Sequence, residues 1–531
     1  MPAGEGWKLT TKTKVVFRFE PDGRLAEMAN RSGVRSVLAY DEALRLVGLT
    51  DGSGITTAFE YDEAGRISGV VGVLDRQWTY GDSEAGDLVS VTDPEGATTT
   101  LTYDGAHRLV QITDAEDRQV VRNHYDDLHR VVAQEDGRSG RWSYRYEPGR
   151  TVVTDPLGHE KTFMFDDRYR TSAVVDANGA ATRFVWDQPS NLLLTIDATG
   201  RRTRFVYDER GNLVSAAGPA STPVSFEWDD DNLTAVVSGE GHRATFDWDV
   251  ASRPVRLTSP AGHTTEITWT DDGLPATIIE GDGGTTSYRY DERGHLASVT
   301  DPLGAIARAE FDVAGRPVTE IHPGGGYTTF TWDRADRLTS VTDPTGGVFR
   351  YRYDRSGRLV SFSDPLGRTT RYGYDGRGLL ESVVDPLGRR TIFAYDACGR
   401  LAARTDPRGV TVTITADPVG RLVGIEGPHL APIGYRWDAA GRMLATATSS
   451  AATISSVRHH RGRSRSPSPT TNSGALPPPP APTPRCDTPG TGPRTGSSAS
   501  RPKRPRPHPS TPPTRSPRRE SAPGTTMRPE T

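Results

Sequence analysis

The sequence has 531 residues, a length that corresponds to three or four domains of ordinary size. Only 34% of the residues are hydrophobic, and the 56 glycines and 40 prolines argue against a helical protein, because both residues weaken helix interiors. No apolar run is long enough to span a membrane, and the N-terminal residues lack the apolar stretch of a secretory signal. Two cysteines exclude a disulfide scaffold and a zinc module built on cysteines.

The net charge of −4 is an average over two unlike segments. Residues 449–531 carry a net charge of +11 and contain 19 of the 40 prolines but no aromatic residue, whereas residues 1–448 carry −15. A segment of this composition cannot bury enough apolar surface to offset the entropy of ordering it. We therefore predict that residues 449–531 form a disordered tail rich in Pro, Arg, Ser and Thr. Our hypothesis for its origin is a frameshift, which translation of the other two reading frames would test.

Residues 16–448 consist of a repeat in which an aromatic residue is followed by an acidic residue, usually with a 21-residue period. The unit approximates D-P-x-G-x-x-T-x-x-x-Y-D-x-x-G-R-L, as at Asp364–Leu380. Nine consecutive intervals of this regular period separate Trp248 from Trp437, with Ala416 in the one slot that lacks a ring. Tyr80 is taken as the ring of an early, irregular unit. The array then has 21 repeats, and residues 1–15 are a lead-in from a truncated repeat.

Spacing within the unit predicts one β-hairpin for each repeat. Many units have a second ring two residues before the first, which places both rings on one face of a strand. The D-P-x-G and Y-D-x-x-G segments are typical of turns, and the glycine slot, filled elsewhere by His107, His129, Asn232 or Asp336, requires positive φ. The repeat register is represented by Tyr61, Asp62, Gly65, Tyr207, Asp208, Gly211, Tyr290, Asp291, Gly294, Tyr353, Asp354, Gly357, Tyr395, Asp396 and Gly399.

The predicted fold is therefore all-β, with antiparallel hairpins in a continuous meander. About 42 strands at about 4.8 Å each would make a flat sheet of about 200 Å, and open sheets of that width curl. We expect a spiral strip in which the patterned rings supply the core that the low aliphatic content does not.

The Y-D-x-x-G-R-L unit and its D-P-x-G partner resemble the YD repeat of Rhs-type proteins, with related repeats in teneurins and insecticidal toxin complexes. The resemblance covers about Val16 to Ala447. It implies a hollow β-shell wound from a strip of hairpins, of which this chain would form a spiral section or a partial shell.

The resemblance also implies a function. Shells of bacterial members commonly enclose a toxic C-terminal domain, so we expect a non-enzymatic structural protein that encapsulates or presents a toxin in intercellular competition. The alternative is a cell-envelope or secreted module that recognises carbohydrate or a partner cell surface. The sequence itself leaves the location open, while the family suggests secretion or the cell surface.

Two departures from the bacterial pattern lead us to expect an internal section of a larger protein. No D-P-x-G turn is followed by Leu, the residue typical of the junction at which such shells close and cleave themselves. No globular effector follows the array, so the enclosed toxin would be absent from this chain.

Other candidate sites have a structural interpretation that we favour. Periodic aspartates are better explained by turn capping than by catalysis, and the run Asp229–Asp231 lacks the spacing of a Ca²⁺ loop. Cys398 has no identified base, and His459 and His460 have no partners. The basic run Arg501–Arg506 could attract nucleic acid by charge, but the acidic array argues against that partner. We predict no catalytic residue, no cofactor and no metal.

Overall fold

A computed structural model of the chain describes residues 6–448. The expectations for the tail, including disorder, His459, His460 and Arg501–Arg506, lie outside the described residues. Within residues 6–448 the fold is all-β, as predicted, and the single short helical segment is a 3-10 turn at Val73–Asp75.

The first half of the array contains strands of four to seven residues. They are β1 (Trp7–Thr10), β2 (Val16–Phe19), β3 (Leu25–Ala29), β4 (Arg35–Tyr40), β5 (Leu46–Thr50), β6 (Thr56–Tyr61), β7 (Ile67–Val71), β8 (Gln77–Asp82), β9 (Leu88–Thr92), β10 (Thr98–Tyr103), β11 (Leu109–Thr113), β12 (Gln119–Tyr125), β13 (Val131–Glu135), β14 (Arg141–Glu147), β15 (Arg150–Thr154), β16 (Glu160–Phe165), β17 (Thr171–Val175), β18 (Ala181–Trp186), β19 (Leu192–Ile196), β20 (Arg202–Tyr207) and β21 (Leu213–Ala217).

The second half continues the same alternation with strands of five to eight residues. They are β22 (Val224–Asp229), β23 (Asn232–Val237), β24 (Arg243–Trp248), β25 (Pro254–Thr258), β26 (Thr264–Trp269), β27 (Pro275–Glu280), β28 (Thr285–Tyr290), β29 (Leu296–Thr300), β30 (Ile306–Phe311), β31 (Pro317–Ile321), β32 (Tyr327–Trp332), β33 (Leu338–Thr342), β34 (Val348–Tyr353), β35 (Leu359–Ser363), β36 (Thr369–Tyr374), β37 (Leu380–Val384), β38 (Arg390–Tyr395), β39 (Leu401–Thr405), β40 (Thr411–Ala416), β41 (Leu422–Gly427), β42 (Leu430–Trp437) and β43 (Met443–Thr448).

Each strand pairs in antiparallel fashion with the next, so the 43 strands form one meandering sheet. Two kinds of turn alternate and lie at opposite ends of the strands. We call the turns that follow the ring slot, such as residues 62–66, Tyr turns, and those in the D-P-x-G position, such as residues 364–368, Pro turns. Most Tyr and Pro turns are five-residue loops of one geometry: the Asp62 N–H donates to the Arg66 carbonyl at 2.8 Å, and Gly65 has φ of +78°.

The structure corrects two register assignments. Tyr80 pairs with Val91, and Asp82 stands in the ring slot opposite Leu88. The intervals from Tyr61 to Asp82 and on to Tyr103 therefore both equal the regular period of the repeat, and the irregularity was only a missing ring. Asn232 was expected at a positive φ, but it begins β23, and Asp230 has the positive φ of +58° because that turn is shorter.

The rings do not form the buried core that the sequence suggested. Among the described residues, no large side chain is fully buried, and the most buried hydrophobic positions are mainly alanines and valines, with Phe163 the one ring. The patterned rings, such as Tyr207 in the ring slot and Phe205 two residues before it, are half-buried, while Arg204 and Val206 on the other face are exposed. A sheet one layer thick has no second layer to cover its rings, so they stay half-buried, and many ring-slot rings are covered by an arginine of the preceding Tyr turn, as Tyr353 is by Arg337.

Candidate functional site

Most Tyr turns are held by an aspartate that serves two purposes, as Asp333 illustrates. Its Oδ1 accepts hydrogen bonds from the backbone N–H groups of Ala335 and Arg337, both at 2.9 Å. Its Oδ2 accepts the Nε–H of Arg337 at 2.6 Å. The carboxylate thereby satisfies donors inside the turn and fixes the direction of the arginine.

The same arginine links its turn to the next repeat. The Arg337 guanidinium lies 5.4 Å from the centre of the Tyr353 ring and donates to the Asp354 carbonyl at 3.3 Å. The Tyr353 hydroxyl in turn donates to the carbonyl of Leu338 at 2.9 Å. A cation over a ring contributes about 0.5–1 kcal/mol at such exposed sites. Asp, Arg and ring therefore form a unit, the turn module, that couples successive hairpins.

The residues of the predicted register occupy Tyr turns at five places, where the last turn residue is Arg in three turns, Asn212 in one and His295 in another. Each aspartate caps its turn, and each glycine has φ between +78° and +84°. The hydroxyls of Tyr61, Tyr290, Tyr353 and Tyr395 donate to a carbonyl 15 residues earlier at 2.7–2.9 Å. The full set is Tyr61, Asp62, Gly65, Tyr207, Asp208, Gly211, Tyr290, Asp291, Gly294, Tyr353, Asp354, Gly357, Tyr395, Asp396 and Gly399.

Turn capping also lowers the pKa of some capping carboxyls, Asp62 and Asp126 among them. Hydrogen bonds from the backbone N–H groups of Arg66 and Arg130 hold the pKa of Asp62 and Asp126 below its ordinary value. Such carboxylates stay ionised at neutral pH with their lone pairs engaged, which is poorly suited to transferring protons.

The two halves of the array meet along a seam that runs between turns. We call residues 6–207 the first winding and residues 208–448 the second winding. Pro turns of the first winding contact Tyr turns of the second, at separations of about 200 to 260 residues in the sequence. The hydrogen-bonded pairs include Lys12 with Asn212, Arg31 with Ser252, Glu95 with Arg334, Glu116 with Arg355, Asn178 with Asp417 and Thr199 with Arg442.

The seam shows that the sheet returns on itself. From the turn that holds Glu116 to the turn that holds Arg355 there are 23 strands, β12 to β34. At about 4.8 Å per strand, one circuit measures about 110 Å. The windings are joined through turn side chains and turn backbone, and within residues 6–448 strand ladders run only between neighbours in the sequence.

One part of the seam concentrates charge. Glu116 Oε1 accepts the backbone N–H of Arg355 at 2.8 Å, and Arg118 donates to Ser356 Oγ at 3.2 Å and lies 4.0 Å from Asp354. Burial, with the charge of Glu116 added, raises the pKa of Asp354 to about 6 although arginines contact it. The seam therefore holds one carboxyl that titrates near neutral pH.

Cys398 lies in the seam and not in a reactive pocket. Burial and a hydrogen bond to Asp155, which belongs to a Pro turn of the first winding, raise the pKa of its thiol to about 12. A thiol with this pKa is a poor nucleophile, because the thiolate is the reactive form.

The acidic run Asp229–Asp231 is surrounded by cations. Lys12 lies 3.6 Å and Lys14 4.0 Å from its carboxylates, and Arg210 contacts both Asp230 and Asp231. These side chains occupy the positions in which a Ca²⁺ ion would need oxygen ligands. Throughout residues 6–448 no group of three or more acidic, His or Cys side chains is arranged to hold a metal ion. The part of the chain that the structure describes also contains no helix of the length and apolarity that a membrane span needs.

The sequence did not indicate the seam residues. Glu95, Glu116 and Arg118 lie at ordinary turn positions, and their partners are more than 200 residues away. We call the two positions after each capping residue the turn tip. A hint was present only there, because the tip positions other than the Pro of the Pro turns vary while the rest of the unit repeats.

Comparison with known proteins places these observations in a family. The sequence model of the RHS repeat matches seven segments of the array, at residues 40–77, 83–119, 186–223, 269–306, 311–348, 353–389 and 374–411. No curated protein matches the sequence significantly.

Several solved structures are similar over most of the array. The TcdB2–TccC3–Cdc42 structure is 12% identical with a TM-score of 0.47, and the match covers 82% of this chain and 36% of that one. The TcdB2–TccC3 structure is 14% identical with a TM-score of 0.39, covering 84% and 29%. The Tc holotoxin pore of Photorhabdus luminescens is 13% identical with a TM-score of 0.29, covering 83% and 39%. This chain thus spans about a third of the length of these structures.

Proposed function

Because the chain belongs to the RHS repeat family, we propose that it forms part of the wall of a shell that encloses a C-terminal toxin used in intercellular competition. In this proposal the protein acts by confinement and has no catalytic step of its own. The toxin is a partner that lies outside the described residues.

The single observation that carries the proposal is the seam. A strip that contacts itself after 23 strands bounds a space, and the contacts between Pro turns and Tyr turns limit the gaps between windings. A wall needs this kind of continuity along its whole length, and the contacts extend from Lys12 to Arg442.

The chemistry of the side chains supports a structural role. The periodic carboxylates are engaged in turn modules, the thiol of Cys398 has a raised pKa, and the run at Asp229–Asp231 is neutralised by lysine and arginine. These groups stabilise turns and join windings, which is what a wall requires of them.

A protection experiment tests confinement. A reporter of about 100 residues with a protease site is appended after Thr531 of the full chain, and cleavage is compared with the free reporter. We expect cleavage to be at least about tenfold slower, because a protease acts only on exposed segments. Glu116→Arg, which breaks a seam contact, should restore fast cleavage, whereas Glu310→Arg on an exposed strand face should not.

Cleavage of the fused and free reporters at equal rates would contradict the proposal. At the gene locus, an in-frame toxin domain followed by a small immunity gene would support it. The alternative function, recognition of carbohydrate or of a partner cell surface, stays a prediction that binding of the full chain to a glycan array would test.

A further inference from the structure

We propose that the Pro turns of the second winding bind the Tyr turns of the first winding of another copy of this chain, so that copies associate head to tail. Inside one copy, the seam already joins Pro turns to Tyr turns. The second winding has its own Pro turns at residues 301–410, and the first winding has its own Tyr turns at residues 41–87. Both rows follow the regular period of the repeat and are exposed.

Identical turn sequences show what the free Pro turns lack. The D-P-L-G turn that begins at Asp155 lies in the seam, and its Leu157 is 44% exposed. The same four residues recur in the second winding, where Leu303 is 93% exposed and Leu366 and Leu387 are each 77% exposed. Since the local sequence is the same, the difference comes from the turn that covers Leu157 across the seam. The free row therefore presents leucines that a matching row of turns would cover.

The arginines of the two rows show the same contrast. Arg118, the last residue of its Pro turn, reaches across the seam to Ser356, and its side chain is 24% exposed. Arg368 and Arg389 occupy the same turn position in the second winding, and within residues 6–448 they pair only with the aspartate of their own turn. Their side chains are 63% and 62% exposed. They occupy the turn position of Arg118, but no carboxylate or hydroxyl from a second row of described turns accepts a hydrogen bond from them.

The Tyr turns of the first winding offer the complementary surface. Ala64, in the turn D-E-A-G-R, is exposed, whereas Ala314, in the seam turn D-V-A-G-R, is half-buried. The tips of three successive free Tyr turns carry the exposed acids Glu42, Glu63 and Glu84. Acids on Tyr turns facing arginines on Pro turns repeat one of the pairings found in the seam, where Arg138 pairs with Asp375 and Arg76 with Asp336.

The spacing of the two rows allows them to meet. Successive turns of one row are two strands apart, about 10 Å, in both rows. Several contacts can therefore form at once, as they do for the seam turns at Glu95 and Glu116. Because the two faces differ, the contact is heterologous and leaves one free row at each end, so association continues beyond a dimer.

Sedimentation of the full chain with two blocked variants tests the proposal. Leu366→Asp with Leu387→Asp blocks the Pro row, and Glu42→Arg with Glu63→Arg and Glu84→Arg blocks the Tyr row. We expect the wild type to form open-ended oligomers that grow with protein concentration, and each variant to remain a monomer. An equimolar mixture of the two variants should give a 1:1 dimer and nothing larger, because each supplies the row that the other lacks.

A control and three outcomes make the result decisive. Val206→Asp, on an exposed strand face, should associate as the wild type does, and thermal unfolding verifies that every variant is folded. A wild type that stays monomeric at every soluble concentration overturns the proposal. Blocked variants that associate as the wild type does also overturn the proposal and would indicate pairing of the edge strands β1 and β43. A mixture of the two variants that stays monomeric overturns it as well.

Discussion

Removing the cap of one turn module gives a direct measure of its contribution to stability. Asp333→Ala leaves the backbone N–H groups of Ala335 and Arg337 without their acceptor and releases Arg337 from the carboxylate. A hydrogen bond to a charged group contributes about 1.5–3 kcal/mol, and water replaces part of it in a turn at the surface. We therefore expect a local loss of about 3 kcal/mol.

Hydrogen exchange measures this loss where it occurs. A local change of about 3 kcal/mol corresponds to roughly 100-fold faster exchange of the amides in residues 333–337. Asp333→Asn keeps a carbonyl oxygen in the place of Oδ1 and loses the charge, so its effect should be less than about tenfold. Distant hairpins should keep their protection, because each repeat contacts mainly its neighbours.

Asp272→Ala is the matched control, since Asp272 is an exposed acid at the tip of another Tyr turn whose cap is Thr270. It should leave exchange in its own turn nearly unchanged. If Asp333→Ala and Asp272→Ala have equal local effects, the capping carboxylate does not hold the turn and the turn-module argument is wrong.

Three further predictions concern the seam and the rings. The folded pKa of Asp354 lies above that of a free aspartate, so the contribution of its protonated carboxyl to stability is lost as pH rises through about 6. The free energy of unfolding of Asp354→Asn, measured by denaturant titration, should therefore increase by on the order of 2 kcal/mol relative to that of the wild type between pH 4 and pH 7.5. Cys398 should react with iodoacetamide at pH 8 about 1000-fold more slowly than a free thiol, and Asp155→Asn should speed that reaction. Tyr353→Phe removes the hydrogen bond to Leu338 and should cost about 1 kcal/mol by the same titration.

The hairpins could be predicted because each one is specified within a single repeat unit. Two rings at a spacing of two, a capping acid and a residue with positive φ are local signals, and they gave the correct strand direction and turn positions. The prediction was wrong where one local signal was missing: Asp82 replaces a ring, and the nearest ring, Tyr80, was assigned to the slot instead. It was also wrong at the shortened turn before Asn232.

The seam could not be predicted, for a reason inherent in a regular repeat. Glu116 meets Arg355 after 23 strands, so a small difference in twist per strand would bring a different turn opposite Glu116. Every offset by one repeat puts chemically similar turns together, and local pattern does not choose among them. The contact depends on curvature summed over the whole circuit, a property that the repeat unit does not encode by itself.

Within a turn, different positions have different tasks, and this allows the wall to change its contacts without changing its hairpins. The first and last residues hold the turn, as Asp354 and Arg358 do, while the tip between them faces outward. In the seam the tip residue Arg355 donates its backbone N–H to the Glu116 carboxylate, so that contact does not depend on the side chain at position 355. Tip side chains can therefore vary to select a neighbouring row, whether in the same copy or another, at little cost to the fold.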